Sequence, residues 1–372
     1  MKIDAHYYAV LSFARACGFT KKSAGRIAFA SQFVDDAKIN QIGLKEKPTG
    51  DISLPLVDGK PSFFNMATCH SYTRIKTFNY SAMIGNTAAF HFVPGCRGIS
   101  FPKKMRCREN SRVIRRILDN AVESGDLVKL GISLHAYADT FSHQGFSGLL
   151  SKVNDIQGCT SLRKIPFCLS DFASKTFRWF TKDRFDRLFD SACPAYGHGQ
   201  AMEYPDLPFV DWSYYYDYSE EFSEASKSSG IKCNRERYTR AFKGIAVWLT
   251  RFLTEHEKYL DPAVSNPGFY DLFETLLRPG TDKQRIKAWK EHLVTAGYYG
   301  EGEEELEYSE DRWLKKAFSN YDKERFNRRK VEDAEPAHDF IESEWFGFYK
   351  GVHWYKERFF EYCREEGLDI PK

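Results

Sequence analysis

Apolar positions along this chain recur mostly at helical spacing. Residues 5–17 are rich in apolar side chains and stop at Gly18. Thr20 then stands as an N-cap before a second predicted helix over 21–38, whose small residues suit close helix packing. Residues 109–124 read as an amphipathic helix and 126–147 as another, while 170–190 is charged, aromatic and helical in pattern. The helical pattern resumes from about 216, with Trp248, Leu249, Phe252, Leu253 and Leu260 on one stripe. Turn formers gather in 43–75 (Pro48, Gly50, Pro55, Gly59, Pro61), which predicts an irregular insertion or a short hairpin. The stretch 300–335 is heavily charged and predicts solvated helix faces. The pattern as a whole predicts an all-α protein. Its sharpest change of composition, near 212–230, is the one linker candidate. It divides a helical core at 1–215 from a C-terminal helical region at 216–372, which either packs on that core or forms a separate lid.

One predicted helix carries unusual chemistry. His135, Asp139 and His143 follow at successive i, i+4 positions, flanked by Leu130, Ile132, Leu134 and Phe141. A buried stripe normally carries aliphatic groups, because burying an unpaired carboxylate or imidazole is costly. The bland alternative is a polar surface stripe. A rise of about 6 Å per four residues lets His135 and Asp139 share one ion and puts His143 about 12 Å from His135, in reach of a second. Further candidates are scattered. His6 follows Asp4, and His91 lies between Phe90 and Phe92 just ahead of Pro94-Gly95. His198 sits between glycines, with Glu203 and Asp206 downstream. Asp35 and Asp36 end an apolar helical run, where the helix dipole favours cations, so a bound cation or solvent exposure must compensate them. His70, His256, His292 and His353 have ordinary surroundings, and His338-Asp339 reads as a helix start after Pro336 rather than the centre of an HD-type phosphohydrolase.

Composition narrows the class. Of 372 residues, 42% are apolar and 16% aromatic, enough to bury a sizeable core and to exclude global disorder. A net charge of +3 carries no nucleic-acid footprint. Nine cysteines without a Cys-x-x-Cys pair exclude a complete intramolecular disulfide framework and argue against a zinc ribbon. No run approaches the ~18–20 apolar residues that span a bilayer, and the first residues lack a signal-peptide core, so a cytoplasmic location is expected. Trp212–Tyr218, with one tryptophan and four tyrosines, reads as aromatic core or linker; its functional counterpart is stacking on nucleobases or caging of a choline-like cation.

Taken in order, these residues resemble the superfamily of zinc-dependent phospholipases C and single-strand-specific zinc nucleases. The resemblance runs through His6, Asp35 in ASQFVDD, His91 in FHFVPG, His135-Ala-Tyr-Ala-Asp139, His143 and His198, and covers about residues 1–206. The motifs SQxVDD, HFxPG and HAYxDTxxHQxF are also similar to those of an uncharacterised bacterial family. The resemblance implies an all-α core around two or three divalent ions, zinc by donor type with manganese or iron as alternatives. It implies hydrolysis of a phosphodiester, phospholipid-like or nucleic. His91, His135, Asp139 and Asp35 would hold the first ion. His143, His198 and Glu203 or Asp206 would hold the second, and His6 with Asp4 a third. Whichever of Asp35 and Asp36 does not ligate would orient or deprotonate the attacking water. Departures are the shortened Asp139–His143 spacing, a final His-x-x-x-acid step broken by Met202, and no amine exposed by signal cleavage, whose place Asp4 would take. They favour two ions over three. A non-catalytic helical scaffold with a structural metal site is the alternative from a different class.

Overall fold

The computed structural model describes residues 1–50, 52–69, 83–149, 154, 156–161, 201, 203–216, 228–264 and 270–371. His198 and the predicted helix at 170–190 lie outside them.

The all-α expectation is overturned. Helices dominate, but two sheets accompany them: a four-stranded one of order β2-β3-β1-β7 and a three-stranded one of order β4-β5-β6. In the first, β1 (Gln41–Leu44), β2 (Leu56–Val57) and β3 (Lys60–Phe64) come from the turn-rich segment. Asp58 and Gly59, at φ 53° and 77°, join β2 to β3 through the left-handed backbone that a two-residue Asp-Gly hairpin requires. β1 also pairs in parallel with β7 (Lys330–Ala334), a strand inside the stretch read as solvated helix. In the second sheet, β5 (Asp211–Tyr216) lies between β4 (Ile156–Ser161) and β6 (Lys232–Cys233), antiparallel to both. β5 occupies the start of the tract read as a linker. Trp212, Tyr214 and Tyr216 alternate inward while Tyr215 is exposed, the period-2 pattern of a half-buried strand.

Eight helices matter for the site. They are α1 (Val10–Cys17, preceded by a π-helical turn at Asp4–Ala9), α2 (Lys21–Asp36), the short α3 (Ala89–His91), α4 (Arg112–Ser124) and α5 (Leu127–Ser142), then α6 (Asn234–Glu255), α7 (Asp282–Thr295) and α8 (Glu344–Glu365). Asp126 caps α5 by accepting from the Val128 and Lys129 amides at 2.8 and 3.2 Å. The helix ends at Ser142, short of the predicted 147, with His143 as its C-cap and Gly145 just beyond at φ 96°. All of α5 except Lys129 is buried, because α2, α4, α6 and α8 surround it. One continuous apolar cluster reaches from Met1 to Ile370, and helices from residues 234 onward cover the His/Asp helix.

Candidate metal centre

The buried α5 carries its polar stripe into the interior: His135 and Asp139 are both 0% exposed, so the surface-stripe reading fails. Three other segments meet that stripe. The π turn delivers His6, the end of α2 delivers Asp35, and α3 delivers His91. His6 Nε2 lies 3.1 Å from Asp139 Oδ1, while His91 Nδ1 and His135 Nε2 lie 3.0 and 3.3 Å from Asp139 Oδ2. His91 Nδ1 and His135 Nε2 are 3.2 Å apart, and Asp35 Oδ1 stands 3.8 and 3.7 Å from them. The edge of a tetrahedron with zinc-length bonds is about 3.3 Å. The donor set and its spacing therefore fit a divalent ion. His135 is common to two overlapping groups, one with His6 and Asp139 and one with Asp35 and His91.

Ring orientation supports the same fit. His91 Nε2 donates to the Thr68 carbonyl at 2.8 Å, which leaves the Nδ1 lone pair turned toward Asp139 and His135. His143 Nδ1 donates to the His91 carbonyl at 2.8 Å, and its Nε2 faces Asp206 Oδ1 at 3.2 Å. A histidine with one N–H on a backbone carbonyl and the other nitrogen facing carboxylates is held as metal-binding histidines are. The same Nδ1 of His143 lies 3.6 Å from Asp139 Oδ2, so His143 adjoins the other donors at one carboxylate.

Electrostatics follow from burial. Desolvation pushes His6 and His135 down to about 4. Burial works to lower His91 as well, but the hydrogen bond and charge of Asp139 raise it above its ordinary value. Burial would raise Asp139; His143, the Met1 amine, His6 and His135 instead hold it well below the usual carboxylate range. Asp35, 28% exposed, is raised by burial.

Several expectations require correction. Asp4 does not reach the cluster: its carboxylate takes Arg285 Nε at 2.7 Å, and both side chains are 1% exposed. A fully buried guanidinium needs that carboxylate. The α-amino nitrogen of Met1, not expected as a donor, stands at the cluster instead, 2.7 Å from Asp139 Oδ1 and 3.1 Å from Asp206 Oδ1. Burial opposes its charge, but Asp139, Asp206 and Asp35 lift it to about 11. Glu203 reaches Lys2 at 3.2 Å, so of the two downstream acids Asp206 is the one beside His143. Asp36 diverges from Asp35 by the turn of one helical residue. It accepts from Tyr308 Oη at 2.6 Å and from Gln32 Nε2 at 3.1 Å. His338 and Asp339 are 95% and 80% exposed.

Two residues that the sequence did not single out hold this site from behind. Arg237 Nη2 donates to the Ser142 carbonyl at 2.8 Å and Nη1 to Asn234 Oδ1 at 3.3 Å. Asn234 Nδ2 in turn donates to the carbonyls of Tyr204 and Leu207 at 2.6 and 2.8 Å. The first turn of α6 thus ties the end of α5, with His143, to the loop bearing Asp206. An i, i+3 Asn/Arg pair opening a helix is too common a pattern to have marked them.

Among the described residues no helix is long and apolar enough to cross a membrane. No curated protein and no solved structure matches the chain. A family model described as "Family of unknown function (DUF6765)" matches residues 1–363, which take in every described donor of the centre and the C-terminal helices around it. The chain therefore belongs to the DUF6765 family, a family of unknown function.

Proposed function

We propose that the protein is a metal-dependent hydrolase acting on a phosphodiester, with two divalent ions, zinc by donor type, held around Asp139. The observation that carries this reading is the convergence of two largely buried groups on His135, one with His6 and Asp139 and one with Asp35 and His91, the donor atoms of each within 4.8 Å of one another. Burying so many titratable groups without a cation would be costly. His91, His135, Asp35 and Asp139 would hold one ion; His143 and Asp206, with the Met1 amine beside them, would hold the other. Bound divalent ions supply a lowered pKa for water and charge stabilisation for a phosphoryl group. Asp35 is the most exposed donor and marks the side from which substrate enters. One residue on, Asp36 lines an open cavity of about 600 Å³ with Ile3, Gln32, Tyr308 and Lys315. Burial lifts its carboxyl to about 6, partly countered by the Tyr308 hydrogen bond, so it can accept a proton near neutral pH. The order His6, Asp35, His91, His135, Asp139 and His143 along the chain resembles that of the superfamily and supports the reading.

A specific observation favours the second reading, a structural metal in a non-catalytic scaffold: His6, His91, His135 and Asp139 are all within 2% of full burial. Metal analysis and turnover separate the two. Purified protein should contain about two equivalents of zinc or manganese, lost in His135→Ala and Asp139→Asn, and should hydrolyse bis-nitrophenyl phosphate. Asp36→Asn should keep the metal and lose about 10²–10⁴-fold in rate. Stoichiometric metal with no turnover would leave the scaffold reading; equal, sub-stoichiometric metal in wild type and variants would remove both.

A further inference from the structure

None of these donors lines a second concave site. Arg97, Arg108, Arg112 and Arg115 surround a cavity of about 460 Å³ whose wall includes Gly95 and Gln144. The two acids in its lining are already engaged: Glu109 accepts from Arg240 at 2.8 Å, and Glu366 lies 3.6 Å from Arg112. Arg97, Arg108 and Arg115 have no carboxylate in ion-pair reach among the described residues. Three like charges facing one cavity repel one another, and the two acids of the lining offset this only in part because each has another arginine partner.

The backbone is shaped to hold one of them there. A Cβ on Gly95 would stand 2.4 Å from Arg108 Cδ and 2.5 Å from Cγ, so the stem of Arg108 lies directly against the bare glycine. The Gly95 amide is tied to the Arg106 carbonyl at 2.8 Å, which fixes that approach. The N-terminal end of α4, thirteen residues long and capped by Ser111, adds its partial positive charge to the same cavity. Guanidinium groups pair with phosphate oxygens through two parallel N–H bonds. Glu109 and Glu366 share the lining with the arginines, which suits a compact anion over an extended polyanion.

We propose that this pocket binds a small phosphorylated molecule, with its phosphate held among Arg97, Arg108 and Arg115. The site is independent of the metal reading. The test is calorimetric titration of the full chain as purified, with inorganic phosphate, pyrophosphate and glycerol phosphate at constant ionic strength. Wild type should bind at least one of them, and the ranking separates the free anion from an ester. Arg108→Gln and Arg115→Gln should each weaken binding about tenfold, as expected for loss of one charge-assisted pair. The double variant should abolish it, and Gly95→Ala should weaken it by displacing Arg108. These arginines are exposed, so the fold should survive; unchanged unfolding curves check this. No binding by wild type would overturn the proposal. So would binding that the double variant leaves intact, which would put the anion at another site such as the metal centre.

Discussion

Gly131→Ala should loosen the metal centre without touching a donor. Gly131 lies on α5 one turn before His135, where α5 crosses α2. A Cβ there would meet the Ile27 carbonyl oxygen at 2.5 Å, Ala30 Cβ at 2.7 Å and the Ser31 amide nitrogen at 3.2 Å. Two of these three are backbone atoms of α2, so no side chain can swing aside. Ordinary contact begins at 3.4 Å, which leaves α2 about 0.9 Å too close. Overpacking of this kind costs about 1–3 kcal/mol, and the helix preference for alanine over glycine returns about 1 kcal/mol. The net expectation is a loss of up to about 2 kcal/mol. The larger effect is on geometry. Asp35 rides on α2 while His135 and Asp139 ride on α5, and ligand distances tolerate only about 0.2 Å. Urea unfolding and metal content on the same preparation measure both. Gly85→Ala is the control, since nothing lies within 4 Å of its added carbon. A Gly131→Ala protein as stable as wild type and fully loaded with metal would refute the helix-contact argument.

Other perturbations test neighbouring claims. Asp4→Ala should cost about 3 kcal/mol, by leaving Arg285 buried with Asp282 and the Gly280 carbonyl as partners, yet retain the metal; loss of metal with unchanged stability would return Asp4 to the donor set. Arg237→Met should weaken one of two ions about 10–100-fold while sparing the other, read as a split metal titration, because it releases Ser142 and the Asp206 loop from each other; a single unsplit titration would count against that role. Burial alone would lift Asp311, but hydrogen bonds from Ser309, Lys315 and Tyr321 hold it at about 2. A folded pKa below the unfolded one stabilises above pH ~4, and this contribution, about 2 kcal/mol, is lost as pH falls toward 2. The Asp311→Asn penalty should therefore be full at pH 7 and shrink by pH 3; a penalty independent of pH would show that the carboxylate charge is not what matters.

Legibility followed the range of the interaction. His135 and Asp139 were readable because four residues on a helix return to nearly the same direction. Gly18 and Thr20 mark helix ends through their own backbone or side-chain bonds, and Gly59 was one of the turn formers that predicted an insertion or short hairpin. The strands were the failure. β1 has four residues and β7 five, too few to establish a period, and they pair across nearly 290 positions of chain. β5 did alternate, but its aromatic density resembled a composition break more than a strand.

What the sequence by itself determined is the stock of donors, their spacing on α5 and α2, and the turns that end elements, since each depends on residues within a few positions. The tertiary structure decided that the stripe faces inward, that the Met1 amine and not Asp4 stands beside Asp139, that Asp206 and not Glu203 meets His143, and that Arg285 claims Asp4. Those outcomes turn on which groups lose water together. Burial and charge pairing are properties of surfaces brought into contact, and no local pattern records them.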